Sequence, residues 1–180
     1  MKRNGQSRHR IGVLAGLLCL TMLAGHAQAQ GAAQADTPER GPVTHLPLPR
    51  YVSLKASEGN IRRGPSLTHR IDWVFTHRHM PLQVTGEYEN WRRVQDSDGV
   101  GGWIHFTLLS GARTGLIETD LAPVYARADT QSTVKARLEV GVIISLDSCA
   151  IDWCRVRVEG VKGWMVKSAF WGVDPDEVFD

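Results

Sequence analysis

From residue 50 onward the chain alternates apolar and polar positions in short runs, the two-residue period of strands with one buried face. YVSLKA (51–56) and LQVTGEY (82–88) follow that period. WRRVQ (91–95) and GGWIH (101–105) flank DSDGV (96–100), whose aspartates and glycine predict a hairpin turn. EVGVIISLDS (139–148), WCRVRV (153–158) and GWMVK (163–167) repeat the pattern, with EGVKG (159–163) as the turn. No window carries the 3.6-residue period of an amphipathic helix. HFTLLSG (105–111) and KSAFWG (167–172) are each suited to a single helical or 3₁₀ turn. Residues 30–49, QGAAQADTPERGPVTHLPLP, show neither period and are rich in Ala, Pro and Gly, which predicts a flexible, partly extended linker.

The same unit is written twice. NWRRV (90–94) matches DWCRV (152–156), and GGWIHFTLLSG (101–111) matches KGWMVKSAFWG (162–172). Trp91 pairs with Trp153 at an offset of 62, and Trp103 with Trp164 at 61. NIRRGPS (60–66) aligns more loosely with YARADTQ (125–131), setting Arg62 against Arg127. Nearly equal offsets mark an internal duplication. Several short strands in about 60 residues, curled to avoid open edges, make a small barrel. The expectation is an all-β fold of two tandem small barrels: residues 50–112 and 113–173, with a tail at 174–180.

The order of motifs is Asn60-Ile61-Arg62-Arg63-Gly64-Pro65-Ser66, then Trp91-Arg92-Arg93-Val94, then Gly102-Trp103-Ile104. It resembles the bacterial SH3-like (SH3b) domain. Trp153-Cys154-Arg155-Val156 and Gly163-Trp164-Met165 carry the likeness in the second copy, whose opening, Tyr125-Ala126-Arg127-Ala128-Asp129, departs from it. The resemblance covers residues 50–173 and implies binding and targeting modules. Many such domains bind cell-wall peptidoglycan or its peptides, often attached to a wall hydrolase. A leader followed by two modules looks like the exported SH3-domain-containing proteins of proteobacteria.

The first residues change the charge and the compartment. Lys2, Arg3, Arg8 and Arg10 precede an apolar run over 11–25, and Ala27-Gln28-Ala29 fits the small-x-small cleavage rule. Residues 1–29 are therefore expected to be a signal peptide cut after Ala29, with Ala27 the near alternative. Export to the periplasm or beyond follows, with no membrane span in the mature chain. The leader holds four of the 21 Lys and Arg and none of the 19 Asp and Glu, so the mature chain has 17 basic and 19 acidic side chains, a net charge of −2. That removes the basic surface a nucleic-acid partner needs.

Cleavage also removes Cys19, leaving Cys149 and Cys154 as a pair in an oxidising setting. In WCRVRV the two valines place Cys154 on the inner face. Cysteines flanking a hairpin loop lie within disulfide reach. A zinc site would need two more ligands, and a redox pair is more usually C-x-x-C at a helix start. A disulfide is expected.

Ligand-binding candidates are Tyr51, Arg62, Arg63, Trp73, Tyr88, Trp91 and Trp171: aromatics for a groove, and arginines for a carboxylate. Trp103 and Trp164 are expected in the core, with Trp73 and Trp171 at a module contact or in a groove. His77 and His79 lack acidic or cysteine partners at suitable spacing, so no metal is expected. No catalytic motif is present, and no residues remain for the separate Cys–His domain of a wall hydrolase. The reading is a non-enzymatic protein without cofactor. It binds peptidoglycan or a peptide, or serves as an adaptor or accessory subunit for an envelope protein.

Overall fold

The computed structural model describes residues 39–180. The expected signal peptide and linker residues 30–38 lie outside the described residues.

The first module is a seven-stranded antiparallel sheet: β1 (Arg50–Leu54), β2 (Gly59–Arg62), β3 (Ile71–Phe75), β4 (Pro81–Tyr88), β5 (Trp91–Gln95), β6 (Gly101–His105) and β7 (Leu109–Ser110). Its strand order is β3-β2-β6-β5-β4-β1-β7. The second consists of β8 (Thr114–Ile117), β9 (Ala122–Tyr125), β10 (Val134–Leu138), β11 (Ile143–Cys149), β12 (Trp153–Val158), β13 (Val161–Val166) and β14 (Phe170–Trp171). Its order, β10-β9-β13-β12-β11-β8-β14, is the same strand for strand. Single 3₁₀ turns at Phe106–Leu108 and Lys167–Ala169 link the last two strands of each copy, where the sequence predicts them. Both sheets belong to one compact unit.

Each sheet wraps its own core. Leu54, Ile61, Leu82, Val84, Val94 and Ile104 fill the first; Ile117, Val124, Ile144, Val156, Met165 and Phe170 fill the second. Strand alternation explains the choice, since Ile104 and Met165 point inward and the preceding tryptophans cannot. Trp103 and Trp164, expected in the core from the sequence, are thus not core residues. They lie half-buried on the outer face. Complete burial of each such aliphatic side chain stabilises by about 1.5–3 kcal/mol.

The glycine before each of these tryptophans has a steric cause. A Cβ on Gly102 would lie 2.6 Å from the Arg62 carbonyl oxygen, and one on Gly163 would lie 2.5 Å from that of Tyr125. At these points β2 crosses β6 and β9 crosses β13 too closely for any side chain. The register also corrects the alignment of the copies. Arg62 is the strand partner of Trp103 and Tyr125 that of Trp164, so Tyr125, not Arg127, is the counterpart of Arg62.

Residues 39–49, expected to belong to a flexible linker, are folded. Arg40 and Pro47 form an antiparallel bridge, and the amides at Val43 and Thr44 donate to the Glu87 carboxylate at 3.0 and 2.8 Å. The partner lies more than forty residues away, which local composition cannot show.

Candidate functional site

The ladder of the first module lines up one row of aromatic side chains on its outer face. Tyr88 is the strand partner of Trp91, and Trp91 that of His105. The indole meets the His105 ring edge-on with centroids 5.5 Å apart, and His105 lies 5.1 Å from Phe106. Thr107 holds His105 in place, Oγ1 to Nδ1 at 2.8 Å. The Arg92 guanidinium lies 5.8 Å from the centre of the Phe106 ring. Trp91 is buried, whereas Tyr88 and Phe106 are 52% and 45% exposed. Two open rings on a rigid base offer apolar faces to a ligand at little entropic cost.

The second module lacks this arrangement. Matched through the sheet registers, Tyr88 becomes Ala150, His105 becomes Val166 and Phe106 becomes Lys167. Only Trp153 remains, edge-on to Tyr125 at 5.5 Å. Phe106 is not apparent from the sequence of one copy; its signal is the contrast with Lys167 at the same place in the other.

The remaining sequence candidates are dispersed. Arg62 donates Nη1 to the carbonyls of Leu67 and His69 at 3.0 and 2.7 Å, which closes the loop after β2. Arg63 is exposed and pairs with Asp72 at 3.1 Å. Arg70 pairs with the same carboxylate, and these hydrogen bonds hold it below the usual carboxylate range against the effect of burial. Trp73 is 53% exposed on the edge strand β3, beside Ile71 and Val74. Its counterpart is Ala136. His77 and His79 lie in the loop between β3 and β4. Among the described residues no three His, Cys, Asp or Glu side chains are grouped as metal ligands.

The family model described as the bacterial SH3 domain matches residues 55–111 and 118–172. The chain belongs to this family. No curated protein matches it significantly. Among solved structures, NlpC2 from Trichomonas vaginalis is 13% identical with a TM-score of 0.32, covering 68% of this chain and 48% of that one. An NlpC/P60 family protein from Bacillus cereus is 11% identical with a TM-score of 0.31, covering 67% and 55%. The chain thus spans about half the length of these proteins, and likeness at this level says nothing of activity.

Tyr51 and Trp171 meet where the two SH3 domains touch, edge-on with centroids 5.1 Å apart. The Arg113 guanidinium lies 5.7 Å from the Tyr51 ring. Burial, then the carboxylates of Asp174 and Glu177, push the Tyr51 phenol up to about 12. Absorbance titration is expected to show one tyrosine ionising near pH 12, a step that Tyr51→Phe removes.

Glu87 is the charged centre of the first SH3 domain. Its side chain is fully buried and accepts from Arg50 Nη2 at 2.7 Å and Thr44 Oγ1 at 2.6 Å, besides the two amides. Arg92 Nε lies 3.6 Å away. Burial opposes ionisation, but Thr44, Arg50 and Val43 outweigh it and pull the carboxyl down to about 2. Burial and the neighbouring Arg50 lower Arg92, against the pull of Glu87.

In the second SH3 domain the same register positions hold Cys149 and Cys154, strand partners joined by a disulfide with Cα atoms 4.0 Å apart. That is shorter than the 4.4–6.8 Å common for disulfides. Directly opposed residues in a non-hydrogen-bonded antiparallel pair sit unusually close. Cys154, Val156 and Val158 all face inward, as the alternation of WCRVRV predicts.

Proposed function

We propose that the protein is an exported, non-enzymatic binding protein. It recognises cell-wall peptidoglycan or its peptides through the Tyr88–Trp91–His105–Phe106 face of its first SH3 domain. The observation that carries this reading is the open aromatic pair on that face, set against its absence from the second domain. The family supports a binding role, and the leader supports export. No helix among the described residues is long and apolar enough to cross a membrane.

Cosedimentation with purified sacculi tests the reading. Wild-type protein is expected to deplete from solution. Tyr88→Ala combined with Phe106→Ala is expected to weaken binding about ten-fold with an unchanged melting temperature, as for loss of an aromatic anchor. If wild type stays in the supernatant, the peptidoglycan reading fails.

A second reading is an envelope protein–protein adaptor, favoured by the β3 edge. There Leu67, Ile71, Trp73 and Val74 are exposed, and the outer edge of β3 has no strand partner among the described residues. Affinity capture from envelope extracts would then return one defined protein, lost with Trp73→Ala.

A further inference from the structure

Residues 174–180 lie beyond the last strand and beyond the matched span of the second SH3 domain. They are nonetheless held by groups of the kind that recognise peptides. Arg113 grips the Glu177 carboxylate with both terminal nitrogens, Nη1 to Oε1 and Nη2 to Oε2. Its guanidinium also lies over the Phe179 ring, 4.6 Å from the centre. Cys149 and Phe179 exchange backbone hydrogen bonds of 2.8 and 3.0 Å, the pairing of an added antiparallel strand. The buried Lys167 directs Nζ at the carbonyls of Glu177, Pro175 and Asp174, at 2.6, 3.0 and 3.4 Å. Forked recognition of a carboxylate together with strand pairing is a recurrent way of binding extended acidic peptides.

The first SH3 domain gives an independent parallel. Its Arg50 and Glu87 stand where the second has Arg113 and Cys149, and residues 39–48 sit on that same edge. In each copy this edge takes a segment from outside the matched span. The chemistry is reversed between them. In the first the barrel supplies the carboxylate and the segment donates; in the second the segment brings the carboxylate and the barrel donates.

We propose that the edge formed by Arg113, Cys149 and Lys167 is a binding site for acidic extended peptides, and that residues 174–180 occupy it as an intramolecular ligand. The preferred sequence has a carboxylate two residues before an aromatic ring, as Glu177 stands to Phe179. The tether holds the segment at an effective concentration on the order of millimolar, so an external peptide competes poorly until the segment is displaced. This inference does not depend on what the first domain binds.

Fluorescence anisotropy of a labelled VDPDEVFD peptide, residues 173–180, tests it on the mature chain. Glu177→Gln combined with Phe179→Ala is expected to bind the peptide at least about ten-fold more tightly than wild type, because the tethered competitor is weakened. Adding Arg113→Lys to that variant, which abolishes the forked grip, is expected to reverse the gain. The absence of saturable binding at millimolar peptide, or binding indifferent to Arg113→Lys, overturns the proposal. If the double variant melts at working temperature, hydrogen exchange on wild type decides. Excess peptide should speed exchange of the Phe179 amide about ten-fold as it displaces the segment, and unchanged exchange overturns the proposal.

Discussion

Glu87→Ala is expected to destabilise the protein by about 3–5 kcal/mol, the usual penalty for removing one partner from a buried ion cluster. Arg50 and Arg92 would keep their charges without the carboxylate between them, and the amides of Val43 and Thr44 would lose their acceptor. Urea unfolding measures the loss. The same group sets an acid limit. Its carboxyl ionises at about 2 in the folded protein, against an ordinary value of 4.5. The unfolded chain therefore binds the extra proton first as pH falls. The contribution of Glu87, on the order of 3 kcal/mol, is complete above about pH 4.5 and disappears toward pH 2. In Glu87→Gln that slope should vanish. If wild type and Glu87→Gln lose stability in parallel between these pH values, Glu87 is not the acid-sensitive group.

Cys149→Ser with Cys154→Ser is expected to cost about 2 kcal/mol by the chain-entropy estimate for so short a loop. The loss should be read first in the 174–180 segment, because the backbone of Cys149 is what Phe179 pairs with. Faster exchange of the Phe179 amide and a lower melting temperature check it. Alkylation of the purified protein without reductant should leave Cys149 and Cys154 unmodified; alkylation at these two positions would contradict the bond. The first domain is thus expected to be the one sensitive to loss of Glu87 and the second the one sensitive to reduction of Cys149–Cys154.

The strands, turns and duplication were legible because they rest on local order: alternation, Asp/Gly turns and repeated Gly-Trp pairs. The disulfide was legible for the same reason, since parity placed Cys154 inward and the loop is short. What stayed hidden depends on distance along the chain. Residues 39–49 read as a linker because the groups that anchor Val43 and Thr44 belong to the distant Glu87, and nothing in their own composition indicates a buried carboxylate. Trp103 and Trp164 read as core because size suggests burial, while the strand turns Ile104 and Met165 inward instead. Tyr88 and Trp91 could be named as candidates, but their joining with His105 and Phe106 needed the register of three strands. Tyr51 and Trp171, named separately, stand together at the contact between domains.

The matched spans begin at residues 55 and 118, just after β1 and β8. In each sheet that first strand is the one joining β4 to β7, or β11 to β14. A fragment trimmed to 55–111 would lose the strand that carries Arg50, and one trimmed to 118–172 would lose both Arg113 and Glu177. Each would expose the flank of an interior strand to solvent and to other chains. Aggregation of such excised domains would report on where the cuts fell rather than on how the domains behave in the whole protein. Boundaries at 39–111 and 113–180 keep every strand and both arginine–glutamate pairs intact.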